Sequence, residues 1–71
     1  MRNGIKIFRI KELRQAKKYS QKQVADILGT TQQVYSRYEN GANALPIIHL
    51  ISLSKLYGVT TDYILGLDRG V

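Results

Sequence analysis

Between Ser20 and Gly41 the chain carries helix start and stop signals so closely spaced that they leave room for one local structure. Ser20 followed by Gln23 is a capping-box pattern, in which each side chain satisfies a backbone amide that a first helical turn leaves open. Tyr19 and Val24 occupy the two positions of a hydrophobic staple around it. A helix is therefore predicted from Gln21 to Leu28, closed by Gly29. Thr31 is a second cap and starts a helix that reaches about Glu39, after which Asn40-Gly41 tolerates left-handed backbone geometry. Two short helices are thus joined by the turn Gly29-Thr30-Thr31, and the small Ala25 lets them cross closely.

The flanking segments read as helices too, and no segment reads as a strand. Ile7, Ile10 and Leu13 recur at helical spacing in a first helix from about Lys6 to Lys18. Pro46 fits the first position of a fourth helix, which Gly58 stops after Tyr57. Thr61 is expected to cap a short fifth helix from Asp62 to Leu65, closed by Gly66, with a frayed tail from Leu67 to Val71. The expected fold class is all-α, a compact five-helix bundle. Its 71 residues suffice for one domain, 1–71, so a sensor or catalytic domain is expected on another chain. Without cysteine, stability must come from the apolar core, as suits a reducing cytoplasm. Charges at Lys6, Arg9, Lys11 and Glu12 break up any signal-peptide core, and no apolar run is long enough to span a membrane.

Wrapping the third helix at about 100° per residue gathers Gln32, Gln33, Ser36, Arg37 and Asn40 within roughly 140°, leaving Val34, Tyr35 and Tyr38 outside that arc. One face is built to pack and the other to make hydrogen bonds. Gln and Arg are the side chains that form paired hydrogen bonds to the edges of adenine and guanine in the DNA major groove. The net charge of +6, from 11 Lys and Arg against 5 Asp and Glu, permits a polyanion partner. Its distribution is uneven: Arg2, Lys6, Arg9, Lys11, Arg14, Lys17, Lys18 and Lys22 crowd the first third. That region would supply attraction while the glutamine-rich helix discriminates. Tyr35 and Tyr38 are assigned to the core rather than to base stacking.

Ser20-Gln21, Val24-Ala25, Gly29 and Ser36-Arg37-Tyr38-Glu39-Asn40-Gly41 stand in the order and spacing of a known pattern. It extends through Leu13-Arg14 upstream and Leu53, Gly58-Val59 and Thr61 to Gly66 downstream. The chain resembles the Cro/C1-type, or xenobiotic-response-element, helix-turn-helix regulators, including the lambdoid phage repressors, with the motif at about residues 21–39. The resemblance implies a lambda-repressor-like DNA-binding fold whose third helix enters the major groove. Gln32 and Gln33 would then read base edges, with Arg37 one turn further along. Gln21 would clamp a phosphate and buttress the reading glutamine, and Thr31 and Ser36 would add contacts to phosphate or base. Backbone amides at both helix starts would bind phosphate. Arg14 and Glu39 would form a salt bridge joining the first helix to the end of the third.

The chain departs from the pattern after Gly41, where a basic residue is common in the family. Here Ala42-Asn43-Ala44-Leu45 carries no charge, leaving Asn43 and backbone amides for phosphate. The fourth helix is also unusually apolar. Leu50, Leu53 and Tyr57 make an inner face, whereas Ile48 and Leu56 point elsewhere and, with Ile64, Leu65 and Leu67, are candidates for a homodimer interface. Two copies would address half-sites of an inverted-repeat operator in double-stranded DNA, roughly 34 Å apart. The functional expectation is a cytoplasmic transcriptional repressor needing no cofactor or metal. A lone His49, no cysteine and five carboxylates in no acid-base or metal spacing argue against an enzyme. The rival expectation is a small helical module whose main partner is a protein, as in antitoxins of this fold.

Overall fold

The computed structural model describes residues 8–67. They form α1 (Phe8–Ala16), α2 (Gln21–Leu28), α3 (Gln32–Glu39), α4 (Ile47–Tyr57) and α5 (Thr61–Leu65), and no strand occurs among the described residues. Every helix contributes to one core: Ile10 from α1, Val24 and Ala25 from α2, Tyr35 and Tyr38 from α3, Leu53 and Tyr57 from α4, and Ile64 from α5. α2 packs on α3, α1 touches both α3 and α5, and α4 lies on α5. Fully buried Ala25 leaves no side chain to hold α2 and α3 apart. Arg9 pins α1 to α5: its guanidinium lies 4.3 Å from the centroid of the Tyr63 ring and donates to the Tyr63 carbonyl at 2.9 Å.

The helix starts follow from local side-chain chemistry. The Ser20 hydroxyl accepts from the Gln23 amide at 3.0 Å and the Gln23 side chain accepts from the Ser20 amide at 2.7 Å, completing the capping box. Thr31 caps α3 by accepting from the Val34 amide at 3.1 Å. Two starts lie one residue from expectation. Pro46 precedes α4 rather than opening it, because its ψ of 149° is extended while its carbonyl accepts the first helical bond from Leu50. Thr60, not Thr61, caps α5, accepting from the Tyr63 amide at 3.0 Å.

Four of the five helices close in the same way. The amides of Tyr19, Thr30, Val59 and Leu67 each reach back five residues, to the carbonyls of Arg14, Ala25, Ser54 and Asp62. That closure requires a left-handed residue just before the donor. Gly29, Gly58 and Gly66 serve α2, α4 and α5, but at the end of α1 the position is held by Lys18, with φ of 62°. The expected run of α1 to Lys18 is therefore cut at Ala16, with its stop supplied by a residue that carries no stop signal; Lys6 and Ile7 lie outside the described residues. A side chain in left-handed geometry costs about 1–2 kcal/mol, part of which glycine would return as unfolded-state entropy. Lys18→Gly should accordingly raise the unfolding free energy by about 0.5–1 kcal/mol, read from the shift of the urea midpoint.

Candidate nucleic-acid interface

α3 separates its two faces as its sequence requires. Tyr35 and Tyr38 are buried in the core, their rings meeting edge to face with centroids 6.2 Å apart, while Gln32, Gln33 and Arg37 are exposed. The tyrosines are thus packing residues rather than stacking platforms. Gln21, at the start of α2, is half-buried and lines an open depression together with Gln32, Gln33 and Ser36. Three amides and one hydroxyl, each able to donate and accept, are gathered at the junction of two helix N-termini. Arg37 is exposed one turn along α3, outside that depression. Thr31 is exposed at the helix start, with its hydroxyl oxygen committed to its cap.

The segment after α3 folds back on the helix end. Gly41 takes the left-handed conformation, the Asn40 side chain accepts from the Ala42 amide at 2.9 Å, and the Asn43 amide donates to the Arg37 carbonyl at 3.2 Å. Asn43 is half-buried there. The cationic groups lie elsewhere: Lys11, Lys17, Lys18 and Lys22 are exposed on α1, the following turn and α2, with Lys22 loosely paired to Asp26 at 3.4 Å. Arg2 and Lys6 fall outside the described residues.

Behind the polar face of α3 lies a charged network. Arg14 Nε donates to Glu39 Oε2 at 2.6 Å, Nη2 to Glu39 Oε1 at 3.2 Å and Nη1 to the Tyr19 carbonyl at 3.0 Å. This is the implied bridge between α1 and the end of α3, in fork geometry, with the side chains only 12% and 3% exposed. Gln21 joins it, its Nε2 donating to Glu39 Oε1 at 3.0 Å. Sequence reasoning missed this last contact, since a separation of 18 residues follows no local spacing rule. Burial pushes the Glu39 carboxyl up, but the hydrogen bonds from Arg14 and Gln21, with the Tyr35 hydroxyl alongside, outweigh it and hold the group below the usual glutamate range. The guanidinium of Arg14 is raised in turn, chiefly by its hydrogen bond to Glu39.

The apolar surface differs from expectation. Ile64 is 2% exposed and belongs to the core, because α5 turns it inward between α1 and α4, so it cannot serve an interface. Leu56 is half-buried against the core and Leu65 is half-buried too, whereas Ile48 and Leu67 are exposed. Ile47 and Ile51, not among the candidates, are exposed beside Ile48, so the strip occupies the first half of α4. Among the described residues no His, Cys, Asp or Glu grouping could hold a metal, and no helix is long and apolar enough to cross a membrane.

Comparison with known proteins places this architecture. The model of the family described as helix-turn-helix matches residues 10–64, which include all of the α2–turn–α3 unit and most of the helices that frame it. The chain belongs to the Cro/C1-type helix-turn-helix family. Among similar helix-turn-helix proteins of Bacillus subtilis strain 168, the SPbeta prophage-derived transcriptional regulator YonR is 44% identical over 57 residues, covering 80% of this chain and 53% of YonR. The transcriptional regulator ImmR is 42% identical over 61 residues, 86% of this chain and 48% of ImmR. AnsR, likewise named a transcriptional regulator, is 34% identical over 61 residues, 86% of this chain and 53% of AnsR. The chain spans about half the length of these relatives.

Proposed function

We propose that this chain binds double-stranded DNA sequence-specifically in the major groove, as a homodimer on an inverted repeat, and represses transcription in the cytoplasm by occupying a promoter. The observation that carries the reading is the exposure of Gln32 and Gln33 on the first turn of α3, beside Gln21 and Ser36, with Tyr35 and Tyr38 anchoring the opposite face. A helix held by its aromatic side and presenting paired amides at its N-terminus meets the requirement for direct readout of base edges. Arg37 adds a base or phosphate contact further along, Asn43 and Thr31 take phosphate, and the lysines of α1 and α2 supply general attraction. The exposed isoleucines of α4, with Leu67, supply the dimer contact.

Selection of binding sites from a random duplex library at near-physiological salt tests this, run in parallel with Gln33→Ala. The expected result is an enriched inverted repeat with half-sites about one helical turn apart. In the variant, preference should relax at one position per half-site with a loss of about 1–3 kcal/mol. Enrichment of a lone half-site would remove the dimer. Binding that enriches nothing and fades with salt in both proteins would reduce the DNA contact to electrostatics and make the isoleucine strip, with a protein partner, the leading site.

A further inference from the structure

Glu39 has geometry that reaches beyond its bridge to Arg14, and its consequence rests on α3 being the base-reading helix. Its Oε1 accepts from both Arg14 Nη2 and Gln21 Nε2, while Arg14 Nε holds its other oxygen. A carboxylate kept ionised by a guanidinium is an acceptor only. Gln21 must therefore face it with nitrogen, because the inverted amide would set its oxygen against the anion. An amide ordinarily free to flip is thus given one orientation in the unbound protein. With one N–H committed to Glu39, Gln21 keeps its carbonyl and its second N–H for the depression that it shares with Gln32, Gln33 and Ser36.

We infer that Glu39 is a positioning residue for base reading: through the Gln21 amide it fixes which way the neighbouring reading glutamine, Gln32 or Gln33, presents its own amide to DNA. The Gln21 carbonyl accepts one N–H of that glutamine, which leaves the glutamine carbonyl and its second N–H for the donor and acceptor of an adenine edge. A reading glutamine without this constraint can invert and offer only donors to the two acceptors of guanine. The network Arg14, Glu39, Gln21 thereby converts a buried charge pair into a preference for adenine over guanine.

The test measures equilibrium affinity for the selected operator and for a duplex with adenine changed to guanine at the position that Gln32→Ala or Gln33→Ala relaxes. Wild type should penalise the change by about tenfold or more, and Glu39→Gln or Gln21→Ala should each cut the penalty to about threefold with an unchanged salt dependence. The double variant should be no less selective than either single one. Glu39→Asp, which keeps the charge but retracts it by one methylene, should show the same loss and stands in if circular dichroism shows Glu39→Gln unfolded. Equal weakening of both duplexes by Gln21→Ala, or full selectivity in the folded Glu39 variants, would overturn the relay while leaving base reading intact. An operator without adenine at that position would likewise overturn the relay alone, whereas an operator at which neither Gln32→Ala nor Gln33→Ala relaxes any position would overturn both.

Discussion

Arg14→Met is expected to lower the unfolding free energy by about 3 kcal/mol at neutral pH, because both partners of its ion pair are nearly buried. The guanidinium supplies two hydrogen bonds to a carboxylate that is 3% exposed and a third to the Tyr19 carbonyl, so its removal leaves a desolvated charge without its cation. Removing both charges in Arg14→Met/Glu39→Leu should cost less than the single change, because no desolvated charge is left. Additive losses in chemical denaturation would exclude the coupling. The pH dependence gives a second check. In wild type the Glu39 carboxyl lies below the usual glutamate range, so its contribution is complete above the unfolded value and is lost as pH falls through the folded-state one. Without Arg14 the carboxyl loses the guanidinium that holds it down, so its value rises relative to wild type and the penalty for keeping it charged grows as pH rises. The gap between variant and wild type should therefore narrow from pH 7 to pH 4.

What the sequence disclosed, and what it hid, divides by the range of the interaction. Ser20 with Gln23, and Thr31 ahead of Val34, act within one turn, so the starts of α2 and α3 follow from composition and spacing alone. The ambiguities arise where neighbours are equally suited: Thr60 and Thr61 are chemically identical caps, and only packing of α5 chooses between them. The end of α1 was illegible because Lys18 occupies a position whose usual signal is glycine. The Arg14–Glu39 pair spans 25 residues and came from family likeness rather than from any periodicity. Ile64 was assigned to the surface because a five-residue helix offers too short a pattern to show which side faces the core. The polar face of α3 was legible since Tyr35 and Tyr38 mark its opposite side, but the tether from Gln21 to Glu39 required the folded arrangement.

Raising the pH should unfold this domain well before its backbone suffers. The Tyr35 and Tyr57 hydroxyls are buried beside the Glu39 carboxylate, the Tyr35 hydroxyl interacting with it directly and the Tyr57 hydroxyl without a hydrogen-bond partner. Burial first raises both, and Glu39 next, through its charge on Tyr57 and its hydrogen bond to Tyr35, so that Tyr57 is pushed up to about 12 and Tyr35 higher still. A tyrosine whose folded value is raised contributes stability that is fully present below the unfolded value of about 10 and is lost as pH climbs from there through the folded value. Each tyrosine then costs about 1.4 kcal/mol per pH unit, so the pair removes on the order of 5 kcal/mol between pH 10 and 12, comparable with the whole stability of a domain this small. Urea midpoints measured across that range should fall steeply. Tyr35→Phe removes the ionisable hydroxyl together with its contact to Glu39, so it should cost about 1 kcal/mol at pH 7 and should flatten the alkaline slope by about half. The two proteins differ only at this hydroxyl, which leaves the difference in slope to the tyrosine; equal slopes would mean that the Tyr35 hydroxyl reaches solvent in the folded state. Because Tyr35 anchors the concealed side of α3, its ionisation would also displace the reading face, and DNA binding should fail over the same pH interval as the fold.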